Sequence, residues 1–172
     1  MQTINGFQPV INPGATILIL GSMPGKRSLQ EDQYYAHPRN SFWRIFYTLF
    51  DVDDSLIADD NSYQKKLAFL KEANVALWDV LQSCTRESSL DSDIVESSII
   101  KNDFSTFFIN HKSIQHIYFN GAKAEVLYKR YVIPALDGQG RSLPMTRLPS
   151  TSPAYAAMSF EEKLKRWQII RY

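Results

Sequence analysis

Residues Ile17 to Ser28 read ILILGSMPGKRS. Four branched apolar residues in succession stop at Gly21, and a polar, kinked turn follows: Gly21-Ser22-Met23-Pro24-Gly25. An apolar run bounded by turn residues predicts a short strand covered on both faces, because a half-solvated strand would alternate apolar with polar. The chain therefore leaves a buried strand abruptly and enters a turn that has room to hold something.

Working outward, three more short runs fit the same description: Val75–Trp78 (VALW), Ile114–Phe119 (IQHIYF) and Met145–Leu148 (MTRL). Between them the apolar spacing turns helical. Ser41–Phe50 sets Phe42, Ile45, Phe46 and Leu49 on one face, and Ser62–Ala73 sets Leu67 and Leu70 inward. Asn120-Gly121 opens a third helix over Ala122–Tyr131, and Ser159–Ile170 forms a fourth, with Ser159 and Glu162 spaced for a capping box. Asp51–Asn61 and Leu136–Ser142 read as surface loops. Strands alternating with helices predict βαβ units and a mostly parallel sheet in a three-layer α/β arrangement. In such sheets ligands bind beyond the carboxyl ends of the strands. The residues that follow the four strands are GSMPG, Asp79, Asn120-Gly121 and PSTSPAY, so small and polar groups gather at one edge.

With 172 residues the chain has length for one good core but not comfortably for two, which predicts a single domain over 1–172. A net charge of +1 neither demands nor excludes a polyanionic partner. Cys84 is the only cysteine, so there is no disulfide framework or thiolate metal site, and the three histidines are too scattered to suggest zinc. There is no secretory pattern and no apolar run long enough to span a membrane, so the expectation is a soluble intracellular protein.

Taken singly, each motif has a plain structural reading. GSMPG lacks both the G-x-G-x-x-G fingerprint and the P-loop pattern, and reads equally as a Gly/Pro turn. PSTSPA could bind a phosphate or simply turn the chain. In YYAHPRNSFW (34–43), Asn40 could be the N-cap of the aromatic helix. Asp79 could cap a turn, and Lys163, Lys165, Arg166 and Arg171 could form a solvated helix face.

In combination, GSMPG, YYAHPRNSFW, ALWDV and LPSTSPA resemble the uracil-DNA glycosylase superfamily, most of all its hypoxanthine-DNA glycosylase (family 6, deoxyinosine glycosylase) branch. The resemblance runs from about Ile17 to Trp167. It implies a three-layer α/β/α sandwich around a four-stranded parallel sheet, in keeping with the strand and helix pattern. It implies excision of a deaminated base, hypoxanthine before others, from double-stranded DNA, with single strands left open. It implies a monomer with no cofactor and no metal. Uracil or mismatched-uracil excision is an alternative, as is a nucleic-acid binder of this fold that has lost its chemistry.

Residue by residue, the resemblance makes Gly21–Gly25 the water-activating loop and Tyr35 the ring that stacks on the extruded base. It sets Asp79 where many relatives carry the Asn that reads the base edge, and Leu148–Pro153 on the loop that grips the DNA backbone. Two positions depart from it. Met23 stands before Pro24 where relatives have Asp or Asn, and Leu148-Pro149-Ser150 replaces His-Pro-Ser or Asn-Pro-Ser. A missing group at Met23 suggests a relocated one. Asn40 is the candidate, being polar, two residues past a proline and at the mouth of the aromatic cluster, with Ser22 assisting. Met23 and Phe42 are expected to line the base pocket, and Ser150, Thr151 and Ser152 to hold phosphate through hydroxyls and amides.

Overall fold

A computed structural model of the chain describes residues 2–53 and 62–171. Along the chain the strands are β1 (Gln2–Asn5), β2 (Ile17–Gly21), β3 (Val75–Asp79), β4 (Leu81–Arg86), β5 (Ile100–Lys101), β6 (His116–Asn120) and β7 (Met145–Leu148). The α-helices are α1 (Lys26–Glu31), α2 (Phe42–Leu49), α3 (Ser62–Glu72), α4 (Phe104–Asn110), α5 (Ala122–Leu127), α6 (Gln139–Ser142) and α7 (Phe160–Trp167).

The central sheet has the order β3-β2-β6-β7 with every pair parallel. Leu18, Leu20 and Ala76 point to one face with Trp78, Ile117 and Phe119, packed against α4 and the residues of α5. Ile19, Val75, Leu77 and Tyr118 point to the other, packed against the aromatics of α2 and Trp167 of α7. Both faces are therefore covered, which is why these strands are apolar throughout. The chain leaves β2 for β3 on one side and later returns to β6 on the other. That reversal makes the carboxyl end of β2 the topological switch point, where open α/β sheets leave a crevice.

The four expected strands are all present, although the third begins at His116 and leaves Ile114 buried in the preceding turn. A second, antiparallel sheet of order β1-β4-β5 was not expected. Its strands are short and polar: β4 reads LQSCTR and packs Cys84 and Leu81 inward while exposing Gln82. α4 was also missed, although Asp103 caps it by accepting from the Thr106 N–H at 3.0 Å. The stretch Leu136–Ser142, read as a surface loop, contains α6 and buries Leu136. Of Asp51–Asn61, residues 54–61 lie outside the described residues.

Two helix starts differ from the sequence reading. Ser41, not Asn40, stands at the N-cap of α2, and Asn40 Oδ1 instead accepts from the Phe42 N–H at 3.0 Å. The capping box of α7 is formed as expected, with Glu162 N–H to Ser159 Oγ at 3.2 Å and Ser159 N–H to Glu162 Oε2 at 2.8 Å. Lys163 does not belong to a solvated face: it is buried, and its Nζ donates to the Tyr155 carbonyl at 2.8 Å.

Candidate active site

Beyond the carboxyl end of β2 lies a cavity of about 400 Å³. That falls within the span of about 300–1,000 Å³ usual for small-ligand pockets. Its walls come from six separated stretches of chain: the turn after β2, the aromatic segment before α2, the end of β3, the loop after β4, the loop after β6 and the loop after β7.

The turn after β2 is fixed from behind. Val80 N–H donates to Gly21 O at 2.9 Å and Leu81 N–H to Ser22 O at 3.1 Å, tying the turn to the β3–β4 corner. The buried Arg86 guanidinium donates through Nη2 to the Pro24 carbonyl. The four residues from Gly21 through Pro24 are all buried, so this part of the turn is a rigid wall rather than a flap. Met23 lines the cavity in part, and its thioether also joins the core beside Trp78 and Leu81.

Gly21 stands opposite Asp79 in the β2–β3 register. A Cβ at Gly21 would lie 2.5 Å from Asp79 Oδ1 and 3.3 Å from the Tyr35 hydroxyl. The absent side chain is what lets this carboxyl and this phenol approach one another over the end of the sheet. Asp79 is 3% exposed, and its Oδ2 has no hydrogen-bond partner. Burial first, and the Asp91 charge second, push its carboxyl up to about 7, against the opposing pull of Arg86.

Tyr35 adopts the left-handed backbone region at φ 56°, unusual for a bulky residue. Such a conformation costs about 1–3 kcal/mol and persists where the surroundings over-determine it. Here Tyr34 N–H is held by the Tyr63 hydroxyl at 3.0 Å, Tyr34 O by Trp43 Nε1–H at 2.8 Å, and Ala36 N–H by Ser28 Oγ at 3.2 Å. The strained residue turns its ring onto Phe42, with centroids 4.2 Å apart and planes 24° apart. Phe42 is therefore not on the cavity wall; it is the slab behind Tyr35, 1% exposed and packed in turn against Trp167. The Tyr35 hydroxyl is buried, and burial first, with the Asp79 charge second, raises its pKa against the opposing pull of the Asn120 side chain.

Asn40 lies half-buried on the same wall. Because its Oδ1 is taken by Phe42 N–H, its amide NH2 remains to face the cavity. Ser22, 8% exposed, donates to Asp91 Oδ1 at 2.6 Å. Asp91, in the turn Asp91–Asp93 after β4, went unnoticed in the sequence. It sits in SSLDSD, where serines and acids read as an ordinary polar loop, and nothing local signals a partner 69 residues away.

Across the mouth, the loop Pro149–Tyr155 is clamped on all sides. Trp167 Nε1–H donates to Pro149 O at 2.9 Å, Lys163 holds Tyr155 O, and Ser41 N–H holds Thr151 O at 3.0 Å. Thr151 is 1% exposed and exchanges two 2.9 Å hydrogen bonds with the Asn120 side chain, so it is a strut and not a surface contact. Ser150 Oγ accepts from Ser152 N–H, and Ser152 Oγ from Ala154 N–H, both at 3.2 Å. The Ser152 amide is thus spent inside the loop, and the two hydroxyl protons are what remain to donate outward. Among the described residues no cluster of side chains is arranged to hold a metal ion, and no helix is long and apolar enough to cross a membrane.

The strand order and the switch-point cavity with its stacked aromatic pair define an open α/β fold with a ligand site at the sheet edge. A family model for the Uracil DNA glycosylase superfamily matches residues 8–171. A hypoxanthine DNA glycosylase of Methanosarcina acetivorans is 37% identical over 165 residues, 96% of each chain. One from Methanosarcina barkeri is 39% identical over 119 residues, 69% of this chain and 72% of its own. The solution structure of a candidate uracil DNA glycosylase from Methanosarcina acetivorans superposes with a TM-score of 0.78 at 34% identity, covering 99% of this chain and 98% of the other. The chain belongs to the uracil DNA glycosylase superfamily.

Proposed function

We propose that the protein is a monofunctional DNA glycosylase that flips a deaminated base, hypoxanthine first, out of duplex DNA and hydrolyses its N-glycosidic bond. One observation carries the reading: a strained, braced Tyr35 ring and a buried carboxyl with an unpartnered oxygen share one cavity at the switch point. A flat platform beside a single edge-reading group suits a nucleobase removed from its stack. The likeness to the two hypoxanthine DNA glycosylases supports the choice of base.

Each group takes a role from its geometry. Tyr35, backed by Phe42, stacks on the extruded base. Asp79 meets the base edge: ionised, it only accepts, so it takes the N1–H of hypoxanthine and repels the N1 lone pair of adenine. Because its carboxyl loses its proton only near pH 7, this discrimination sharpens as pH rises through neutrality. Asn40 holds the attacking water by its NH2, and Ser22 lies beside that water as an acceptor. As the bond breaks, positive charge grows on the sugar and negative charge on the base, and fixed dipoles aimed at those charges lower the barrier. Ser150 and Ser152 hold the DNA backbone, and the protein acts as a monomer of one domain.

The test is single-turnover release of base from duplexes carrying one deoxyinosine, uracil or xanthine. Release from deoxyinosine above the others is expected. No release from any of the three sinks the enzyme reading and leaves a binder of the same fold.

A further inference from the structure

The cavity holds a second carboxyl that the roles above leave idle. Asp91 is half-buried on the wall and accepts the Ser22 hydroxyl at 2.6 Å, a short, charge-assisted bond. Ser22 belongs to the buried turn after β2, whose carbonyl is pinned by Leu81 N–H, so the hydroxyl is fixed in place. With its O–H directed at Asp91, the hydroxyl has only lone pairs to offer its other neighbours, which makes it an acceptor for a water in the cavity. The neighbour of Ser22 in the turn, Met23, can neither accept nor donate a proton.

We infer that Asp91, acting through Ser22, takes up the proton of the attacking water. The proposal rests on the glycosylase reading above. The water oxygen bonds to C1′ of the deoxyribose as the C1′–N9 bond breaks, and that bond's electron pair leaves with the base. The water proton passes to Ser22 Oγ while the Ser22 proton passes to Asp91, which ends neutral. The departing base anion takes a proton from solvent, and Asp91 later returns its own to solvent, so the sum is one water consumed per bond cleaved. Asn40 orients the water; the Ser22–Asp91 pair deprotonates it.

The charges around Asp91 suit that task. Asp79 faces it from β3, Arg86 from β4 and Lys123 from α5. Burial raises its pKa, while the Ser22 hydroxyl, Arg86 and Lys123 pull it back down, which leaves a base nearer to neutrality than a surface aspartate. The charge on Asp91 raises the Asp79 carboxyl, so the two titrate as a coupled pair. Two carboxyls in one site with separated roles is a known route to acid and base chemistry.

The alternative is that Asp91 merely braces the loop after β4 against the turn. Asp91→Asn keeps an acceptor for Ser22 and therefore the brace, but not the proton sink. Four proteins are compared on a deoxyinosine duplex under single-turnover conditions: the unaltered chain, Asp91→Asn, Asp79→Asn and the double variant. Melting temperature and affinity for a duplex carrying an uncleavable analogue are measured alongside. The expected result is a loss of about 100-fold or more in the chemical step for Asp91→Asn, with affinity and melting temperature kept. In the Asp79→Asn background the remaining acid limb of the pH–rate profile is expected to disappear when Asp91→Asn is added. A rate for Asp91→Asn within threefold of the unaltered chain, or an acid limb that survives in the double variant, overturns the inference. So does a rate loss matched by lost affinity or melting temperature, which returns Asp91 to a brace. Inactivity of the unaltered chain instead overturns the glycosylase reading itself.

Discussion

Gly21 is the residue on which the site's geometry turns, because two polar groups converge where its side chain would be. Gly21→Ala forces Asp79 or Tyr35 aside and is expected to cost about 1–3 kcal/mol, the usual range for overpacking. Chemical denaturation checks this, and an unchanged midpoint would mean that the sheet end relaxes freely. Asp79 itself makes two predictions in one variant. Folded, it keeps its proton up to about pH 7; unfolded, it loses it near pH 4. Between these values the folded state binds more protons, so stability falls as pH rises across that window. Asp79→Asn is expected to flatten this slope, read as melting temperature against pH, and to alter the ratio of inosine to uracil release. Both activities intact at an unaltered ratio would remove Asp79 from the base pocket. Asn40→Ala is expected to slow base release by about 100-fold while leaving DNA affinity nearly unchanged. Full turnover in that variant, together with loss in Ser22→Ala, would shift water handling wholly to the turn after β2.

At the scale of elements, the loop after β7 is expected to govern binding and not chemistry. Phosphate contacts position a duplex without reading its bases. Replacing Ser150 and Ser152 together by Ala should weaken affinity for all duplexes about equally, measured by fluorescence anisotropy on matched and damaged DNA. Selective weakening for one lesion would move these hydroxyls into the base pocket. This loop also marks where sequence reading succeeded and where it stopped. The apolar runs of β2 and β3 and the aromatic period of α2 were legible because burial on both faces, or along one stripe, writes itself into local pattern. Tyr35, Asp79 and Ser150 were picked out as members of motifs, and all three line the cavity. Thr151 looked identical to its neighbours in PSTSPA, and only the distant Asn120 side chain explains its burial. Asp91 was hidden for the same reason, since its partner Ser22 lies 69 residues back. Lys163 kept a solvated residue's identity while its ammonium turned inward to a carbonyl. The antiparallel sheet went unread because its strands are too short and polar to show a period.

Across the whole molecule, the described walls of the cavity are supplied by segments scattered from Gly21 to Tyr155, so the site exists only when both sheets and α7 are in place. The loop Pro149–Tyr155 contains no lysine or arginine, and the net charge of the chain is only +1. Among the described residues the lysines and arginines at the cavity are Lys26, Arg27 and Lys123, and Arg27 is already paired with Glu31. Hydroxyls and amides that grip a phosphate displace no condensed counterions, whereas each lysine or arginine that does so releases close to one. The logarithm of the affinity should therefore fall against the logarithm of salt with a slope no steeper than about −3, from at most three cationic contacts. Titrations across a range of potassium chloride measure it, and a slope beyond about −5 would require a cationic surface away from this mouth. On that reading the protein grips DNA with few cations, so its hold on a damaged duplex should weaken less with added salt than that of a binder lined with lysine and arginine.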